Sequence, residues 1–265
     1  MNFLEALLFG LVQGITEFLP VSSSGHLTLL GRILNCDETA MLSFTTLLHV
    51  GTLISVFVVM RKEIMAILKD ILGRNVRLIV VATLPAVLAA IFLGDFLDRL
   101  FGGGYLGYSF IITGAVLLAT TLTDRLKKTT DKEIGYREAA AAGIGQAVAI
   151  APGVSRSGLT LAALLFCGID REKAIRFSFL MSIPAILGGF LLDVVDLIQG
   201  EGAALAAFGP VNIVAGIAVA AIAGWLAMEW MLRHLKKRGF LVCAFYVIAL
   251  GLFVILDQQF IHLIF

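Results

Sequence analysis

The sequence predicts an all-α integral membrane protein, with six transmembrane helices plus two re-entrant helical hairpins in an inverted-topology repeat. Three observations carry that expectation. Of its 265 residues, 59% are hydrophobic and only 15% charged, and the mean hydropathy of +0.98 lies outside the range of a soluble globular domain. Six stretches reach the roughly 20 apolar residues that a spanning helix needs. The chain also aligns with itself at a shift of 133 positions.

Segment 2–34 is apolar, but Pro20 and the run Ser22, Ser23, Ser24, Gly25 interrupt it, so each piece is too short to cross. Interrupted backbone at membrane depth survives only where protein or a water-filled cavity satisfies its polar groups. A re-entrant pair of half-helices meets that condition, and capped helices lying at the interface are the alternative. Spans follow at 41–60, 78–97 and 105–123. A second interrupted segment, 139–167, breaks around 152–158, and further spans occupy 174–197, 211–231 and 241–256. Glu5 replaces the basic start of a signal peptide and no small-residue cleavage site follows, so the N-terminal segment is expected to stay in the mature protein. Cys36, Cys167 and Cys243 are odd in number and fall in different layers, which argues against a disulfide framework.

Net charge is only +1, but the basic residues are unevenly placed. Arg61, Lys62, Lys69, Arg74 and Arg77 form one cluster; Arg125, Lys127, Lys128, Lys132 and Arg137 a second; Arg171, Lys173 and Arg176 a third; Arg233, Lys236, Lys237 and Arg238 a fourth. With both interrupted segments re-entrant, all four clusters share one side, which the positive-inside rule makes cytoplasmic, and both termini lie outside. The outer loops fit: 199–210 has no basic residue and 98–104 only Arg99.

The shift of 133 pairs Gly10 with Gly143, Gln13 with Gln146, Ser22 with Ser155, Ser24 with Ser157 and Gly25 with Gly158. It divides one membrane domain into repeats 1–132 and 133–265, each a re-entrant pair followed by three spans. An odd number of spans sends the second repeat in from the opposite side. The half-helix N-termini then meet near the midplane and present N–H groups and positive dipole ends to an anion.

Ionisable residues in the hydrocarbon layer cost several kcal/mol, and their default reading is functional. Glu17, His26, His49 and Arg156 are the ones expected there. Arg156 begins a half-helix, where its fork can grip phosphate oxygens through two parallel hydrogen bonds; an ion pair with Glu17 is the alternative, and both can hold. Gln13 and Glu17 share a helix face at i, i+4, where they can hold Mg²⁺ or Ca²⁺ against a phosphate, or Glu17 can act as a base. Ser23 and His26, at i, i+3, are a candidate nucleophile and its partner, and the imidazole can also attack phosphorus itself; capping is the competing role for any one serine. His49 either lines the pocket or is a packed core residue. Further substrate-binding candidates come from the two breaks: Ser22, Ser24, Gly25, Gly153, Ser155, Ser157, Gly158 and Thr160. The repeats diverge at the chemistry, since Glu17 pairs with Ile150, His26 with Leu159 and Ser23 with Arg156, and this one-sidedness favours hydrolysis over transport.

The stretches QGITEFLPVSSSGH (13–26) and PGVSRSGLT (152–160), supported by FSFLMSIPA (177–185), strongly resemble the undecaprenyl-pyrophosphate phosphatase, or bacitracin-resistance, family. The resemblance covers essentially the whole chain. It implies a bacterial inner-membrane enzyme that hydrolyses undecaprenyl pyrophosphate to undecaprenyl phosphate and inorganic phosphate, with a divalent cation and a site opening to the outer face. By position, Gln13 and Glu17 match the family's E/Q-x-x-x-E motif, Ser23 and His26 the nucleophile and its partner, and Arg156 the phosphate-binding arginine. Gln13 stands where many members carry glutamate, which argues against a two-carboxylate metal site. Expected partners are the polyprenyl pyrophosphate lipid and membrane lipids, with a homodimer left open and no nucleic acid. The rival reading is a flippase or transporter of a polyprenyl phosphate lipid.

Overall fold

In a computed structural model, residues 1–101, 104–126, 132–196, 208–234 and 237–265 are described. Their regular structure is all helical, without a strand. In order come α1 (Phe3–Phe18), α2 (Ser23–Ile33), α3 (Glu38–Val59), α4 (Arg61–Lys69), α5 (Arg74–Phe101), α6 (Leu106–Leu126), α7 (Tyr136–Val148), α8 (Arg156–Phe166), α9 (Arg171–Asp196), α10 (Pro210–His234) and α11 (Lys237–Leu256), ending in a π-helical turn (Asp257–Ile261). Lys127, Lys128, Lys236 and the outer-loop residues 102–103 and 199–207 lie outside the described residues.

Four helical stretches are long and apolar enough to cross a membrane: Arg74–Phe92, Arg171–Leu191, Pro210–His234 and Gly239–Ile261. A fifth, Ser43–Val59, continues into Arg61–Lys69 through an 80° bend, and Leu106–Leu122 is a shorter apolar helix. Each of the six sequence-predicted spans coincides with a helix over its described residues, Leu197 lying outside them, and the coarse architecture is that of a multi-pass membrane protein. The segment expected as a basic loop after the first span contains α4 instead. Residues Arg61–Lys69 include no proline or glycine to prevent a helix, and α4 exposes Met65 and Leu68. By contrast α2 and α8, with 11 residues each, reach only about 16 Å at 1.5 Å per residue, half of a hydrocarbon core of about 30 Å.

The helices pair closely: α1 lies along α10, which also packs on α3, α5 packs on α7, α6 on α11, and α3 on α9. Small residues permit the approach. A Cβ at Gly10 would sit 2.4 Å from the Gly216 carbonyl oxygen, one at Gly143 2.6 Å from that of Ala82, and one at Gly251 2.6 Å from that of Gly107. The core runs beside the two short-helix pairs, where Phe18 meets Phe179 edge-on at 5.4 Å, and a smaller cluster around Phe9, Phe44 and Phe208 closes the other end of α1.

Candidate active site

Each break is written in local chemistry. Leu19 precedes Pro20 and is extended at φ −63°, ψ 143°, because proline excludes the helical region for the residue before it, and α1 stops there. Ser22 then adopts φ 72°, a conformation that L side chains rarely take, and accepts a hydrogen bond from the Gly25 N–H at 3.3 Å to start α2. In the second half Pro152 and Gly153 sit at the centre of a turn closed by the Val154 N–H on the Ala151 carbonyl at 3.1 Å. Gly153 takes φ +82°, the value that favours glycine after proline in a type II turn. Ser155 then caps α8 by accepting from the Gly158 N–H at 3.0 Å.

The two breaks touch. The Gly153 N–H donates to Ser24 Oγ at 3.3 Å, and Ser157 Oγ donates to the Leu19 carbonyl at 3.0 Å. A Cβ at Gly25 would lie 3.0 Å from Gly153 Cα, so only glycine lets the backbones come this near.

Glu17 is the hub of what they enclose. One carboxylate oxygen takes a short hydrogen bond from Arg156 Nη2. The other accepts from Ser23 Oγ at 2.6 Å and from Gln13 Nε2 at 3.2 Å, and His49 Nε2 stands 3.7 Å away. His49 Nδ1 lies 2.9 Å from the Thr45 carbonyl, which can only accept, so Nδ1 carries that bond's proton and the Nε2 edge faces Glu17. Glu17, Arg156, His49 and Thr46 form the polar wall of a cavity of about 190 Å³, and Ala185, Ile186, Gly189 and Phe190 of α9 form the other wall. His49 is thus a pocket residue.

His26 is placed differently from the sequence expectation. It shares a helical turn with Ser23, but its Nδ1 lies 2.7 Å from the Ser22 carbonyl and its Nε2 2.7 Å from Tyr246 Oη, while the Ser23 hydroxyl is directed to Glu17. The imidazole stacks on Tyr246 at 5.6 Å and meets Phe110 edge-on at 5.4 Å. Of the other break residues, Ser22 and Ser155 are caps, Ser24 and Ser157 bridge the breaks, and Thr160 bonds Ser178 at 2.6 Å.

Sequence reasoning passed over two residues that hold the breaks. Thr113 on α6 accepts from the Ser155 N–H at 3.0 Å and donates to the Gly153 carbonyl at 3.4 Å. Tyr246 on α11 holds His26. The shift of 133 maps Thr113 onto Tyr246, a signal available in the sequence.

For a cation the donor set is narrow. Among the described residues no group of three or more His, Cys, Asp or Glu side chains could hold a metal ion. Gln13 Oε1, however, is a buried acceptor without a partner beside the Glu17 carboxylate. That amide turns its Nε2 to the carboxylate, whose two oxygens already have partners, so an ion at Gln13 and Glu17 would have to take most of its ligands from water and phosphate.

The description "Bacitracin resistance protein BacA" belongs to the family whose model matches residues 6–253. The chain is 39% identical over 259 residues to "Undecaprenyl-diphosphatase 4" of Bacillus cereus, covering 97% of this chain and 98% of the relative. It is 41% identical over 259 residues to "Undecaprenyl-diphosphatase" of Carboxydothermus hydrogenoformans, again 97% and 98%. Against "Undecaprenyl-diphosphatase" of Bacteroides thetaiotaomicron the identity is 36% over 267 residues, 97% of this chain and all of the relative. With a family match running from the first helix almost to the end of the last, this chain belongs to the bacitracin resistance protein BacA family.

Proposed function

We propose that this chain is an undecaprenyl-diphosphatase of the bacterial inner membrane, releasing inorganic phosphate from undecaprenyl diphosphate and returning undecaprenyl phosphate to cell-wall synthesis. The observation that carries the reading is that Ser23 and Arg156 both bond the carboxylate of Glu17, which with Arg156 and His49 lines one small cavity. A hydroxyl 2.6 Å from a carboxylate is a nucleophile beside its base. Arg156 has a second terminal nitrogen, Nη1, buried and without a partner, which is a donor ready for a phosphate oxygen.

In the first step Ser23 Oγ attacks the terminal phosphorus, its proton passes to Glu17, and the bond to the bridging oxygen breaks, releasing undecaprenyl phosphate. Glu17 gives that proton up to the departing undecaprenyl phosphate. A carboxylate again, it takes one from the water that attacks the phosphoserine and returns it to Ser23 Oγ as inorganic phosphate leaves. Arg156 stabilises the charge on the transferring phosphoryl group, where most catalysis of this reaction type originates. Ser23 is favoured over His26 as nucleophile because both ring nitrogens of His26 point to other partners. Gln13 and Glu17 would hold a divalent cation, Mg²⁺ or Ca²⁺, whose charge would offset that of the diphosphate.

The scaffold reading is six spans and two re-entrant hairpins in two inverted repeats. Support comes from helix pairing: α1 on α10 and α7 on α5 are equivalent under the shift of 133, and each α6 and α11 residue that holds a break has the other as its counterpart. Left-handed residues end α2 and α8 at equivalent positions too, Asn35 at φ 52° and Gly168 at φ 82°. Purified protein in detergent should release phosphate from undecaprenyl diphosphate, and a chelator should slow it. Binding without release would favour a lipid transporter instead.

A further inference from the structure

Two helix glycines have no packing reason to be there. At Gly10, Gly51, Gly143 and Gly251 a Cβ would press into a neighbouring backbone oxygen at 2.4–2.6 Å, so close helix contact accounts for them. Around Gly188 and Gly189 of α9 nothing lies within 4 Å of the position a Cβ would take. Glycine is a poor helix former, and a pair of them in mid-helix against open space weakens α9 without bringing a neighbouring helix any nearer.

Their surroundings suggest what the space serves. Gly189 lies on the wall of the active-site cavity, in line with Ala185, while Ile186 and Phe190 flank it on the same helix face. The cavity is therefore two-sided, with the charged side chains Glu17 and Arg156 on one wall and an apolar wall on α9 that dips where side-chain bulk is missing. Gly189 is exposed, so the dip opens outward from the cavity. A cavity of about 190 Å³ holds a diphosphate but not a long prenyl chain, which must leave it somewhere.

From this shape we infer that Gly189 is a specificity-determining residue: the gap it leaves in α9 is the passage through which the first isoprene units of a diphosphate lipid run from the cavity into the bilayer. The inference rests on the hydrolytic reading above and adds the route of the tail.

The test compares kcat/KM for undecaprenyl diphosphate with that for a single-isoprene diphosphate, whose tail stays within the cavity. Gly189→Leu should lower the long-to-short ratio at least about tenfold, since a side chain in an apolar slot discriminates on that scale. Gly188→Leu, off the cavity wall, should leave the ratio as it is in the wild type. An unchanged ratio in Gly189→Leu, or the same loss on both substrates, would overturn the inference.

A second measurement needs no turnover. In a chain whose Cys36, Cys167 and Cys243 are replaced by alanine, Gly189→Cys should react with a maleimide, and undecaprenyl diphosphate should protect it while inorganic pyrophosphate does not. No protection by the lipid, or equal protection by both, would again overturn the inference. If instead the wild type releases no phosphate from undecaprenyl diphosphate, the hydrolytic reading fails while the protection result still reports on the route.

Discussion

Arg156 and Glu17 are each other's nearest counter-charge, and both sit where water is scarce, so their exchange for substrate phosphate sets the chemistry. Replacing Arg156 by Lys keeps the charge but loses the planar fork, including the unpaired Nη1. Phosphate release should fall about 100-fold or more, the scale seen when one preorganised donor is removed, while the protein still elutes as a folded species on gel filtration. Ser23→Ala and Glu17→Gln act on one proton transfer. The double variant should therefore be hardly slower than the worse single one, and multiplying losses in a double-mutant cycle would mean that the two residues do not work as a pair. Glu17, Gln13, Ser23 and Arg156 were all legible in the sequence, because a charged or polar residue in an apolar segment stands out. The direction in which His26 points was not. Helical spacing places Ser23 and His26 on one turn, but it cannot say that Tyr246, on a helix 220 residues away, supplies the better partner.

Among the elements, the short helices depend on their ends. Glu138 in the first turn of α7 accepts from the Gly135 N–H at 2.9 Å and pairs with Lys132 at 2.8 Å. The hydrogen bond from the Lys132 ammonium holds its carboxyl below the usual carboxylate range. A lowered folded-state value means stabilisation that is complete above the unfolded value of about 4.3 and fades as pH falls through the lower folded one. The melting temperature of Glu138→Gln should accordingly lie below wild type at pH 7, with the gap closing as pH drops below about 4. Equal gaps at both pH values would remove the carboxylate from this role. The helices themselves were legible from apolar run length and from proline, and their boundaries followed within a few residues. The helix α4 was hidden, because its charges mark it as a loop to a hydropathy argument while residues Arg61–Lys69 include no proline or glycine, so the chain resumes as a helix after the bend at Met60.

For the molecule as a whole, the decisive expectation is that every basic cluster faces one side. Cysteines introduced at Lys62, Arg137 and Arg233 should be closed to a membrane-impermeant maleimide in intact cells, whereas one at Asn2 or Gln259 should react. A mixed pattern would mean that an interrupted segment crosses the bilayer, and the inverted repeat would have to be abandoned. The expectation of a doubled chain rests on Gln, Ser and Gly matches at a fixed shift, residues that chance matches between apolar stretches do not favour. Invisible in that pattern was how the two breaks lock, because the bonds Gly153 to Ser24 and Ser157 to Leu19 involve backbone groups that no side-chain pattern encodes.

That lock has a consequence for how the protein is born. Glu17 and Arg156 are separated by 139 positions, so at a synthesis rate of about 5–20 residues per second a nascent acid waits on the order of ten seconds for its counter-ion. Breaking such a buried pair costs about 3–5 kcal/mol, and the early intermediate bears that burden unaided. Insertion must therefore shelter the end of α1, where Gln13 and later His49 are the neighbours at hand, until the ribosome delivers the arginine.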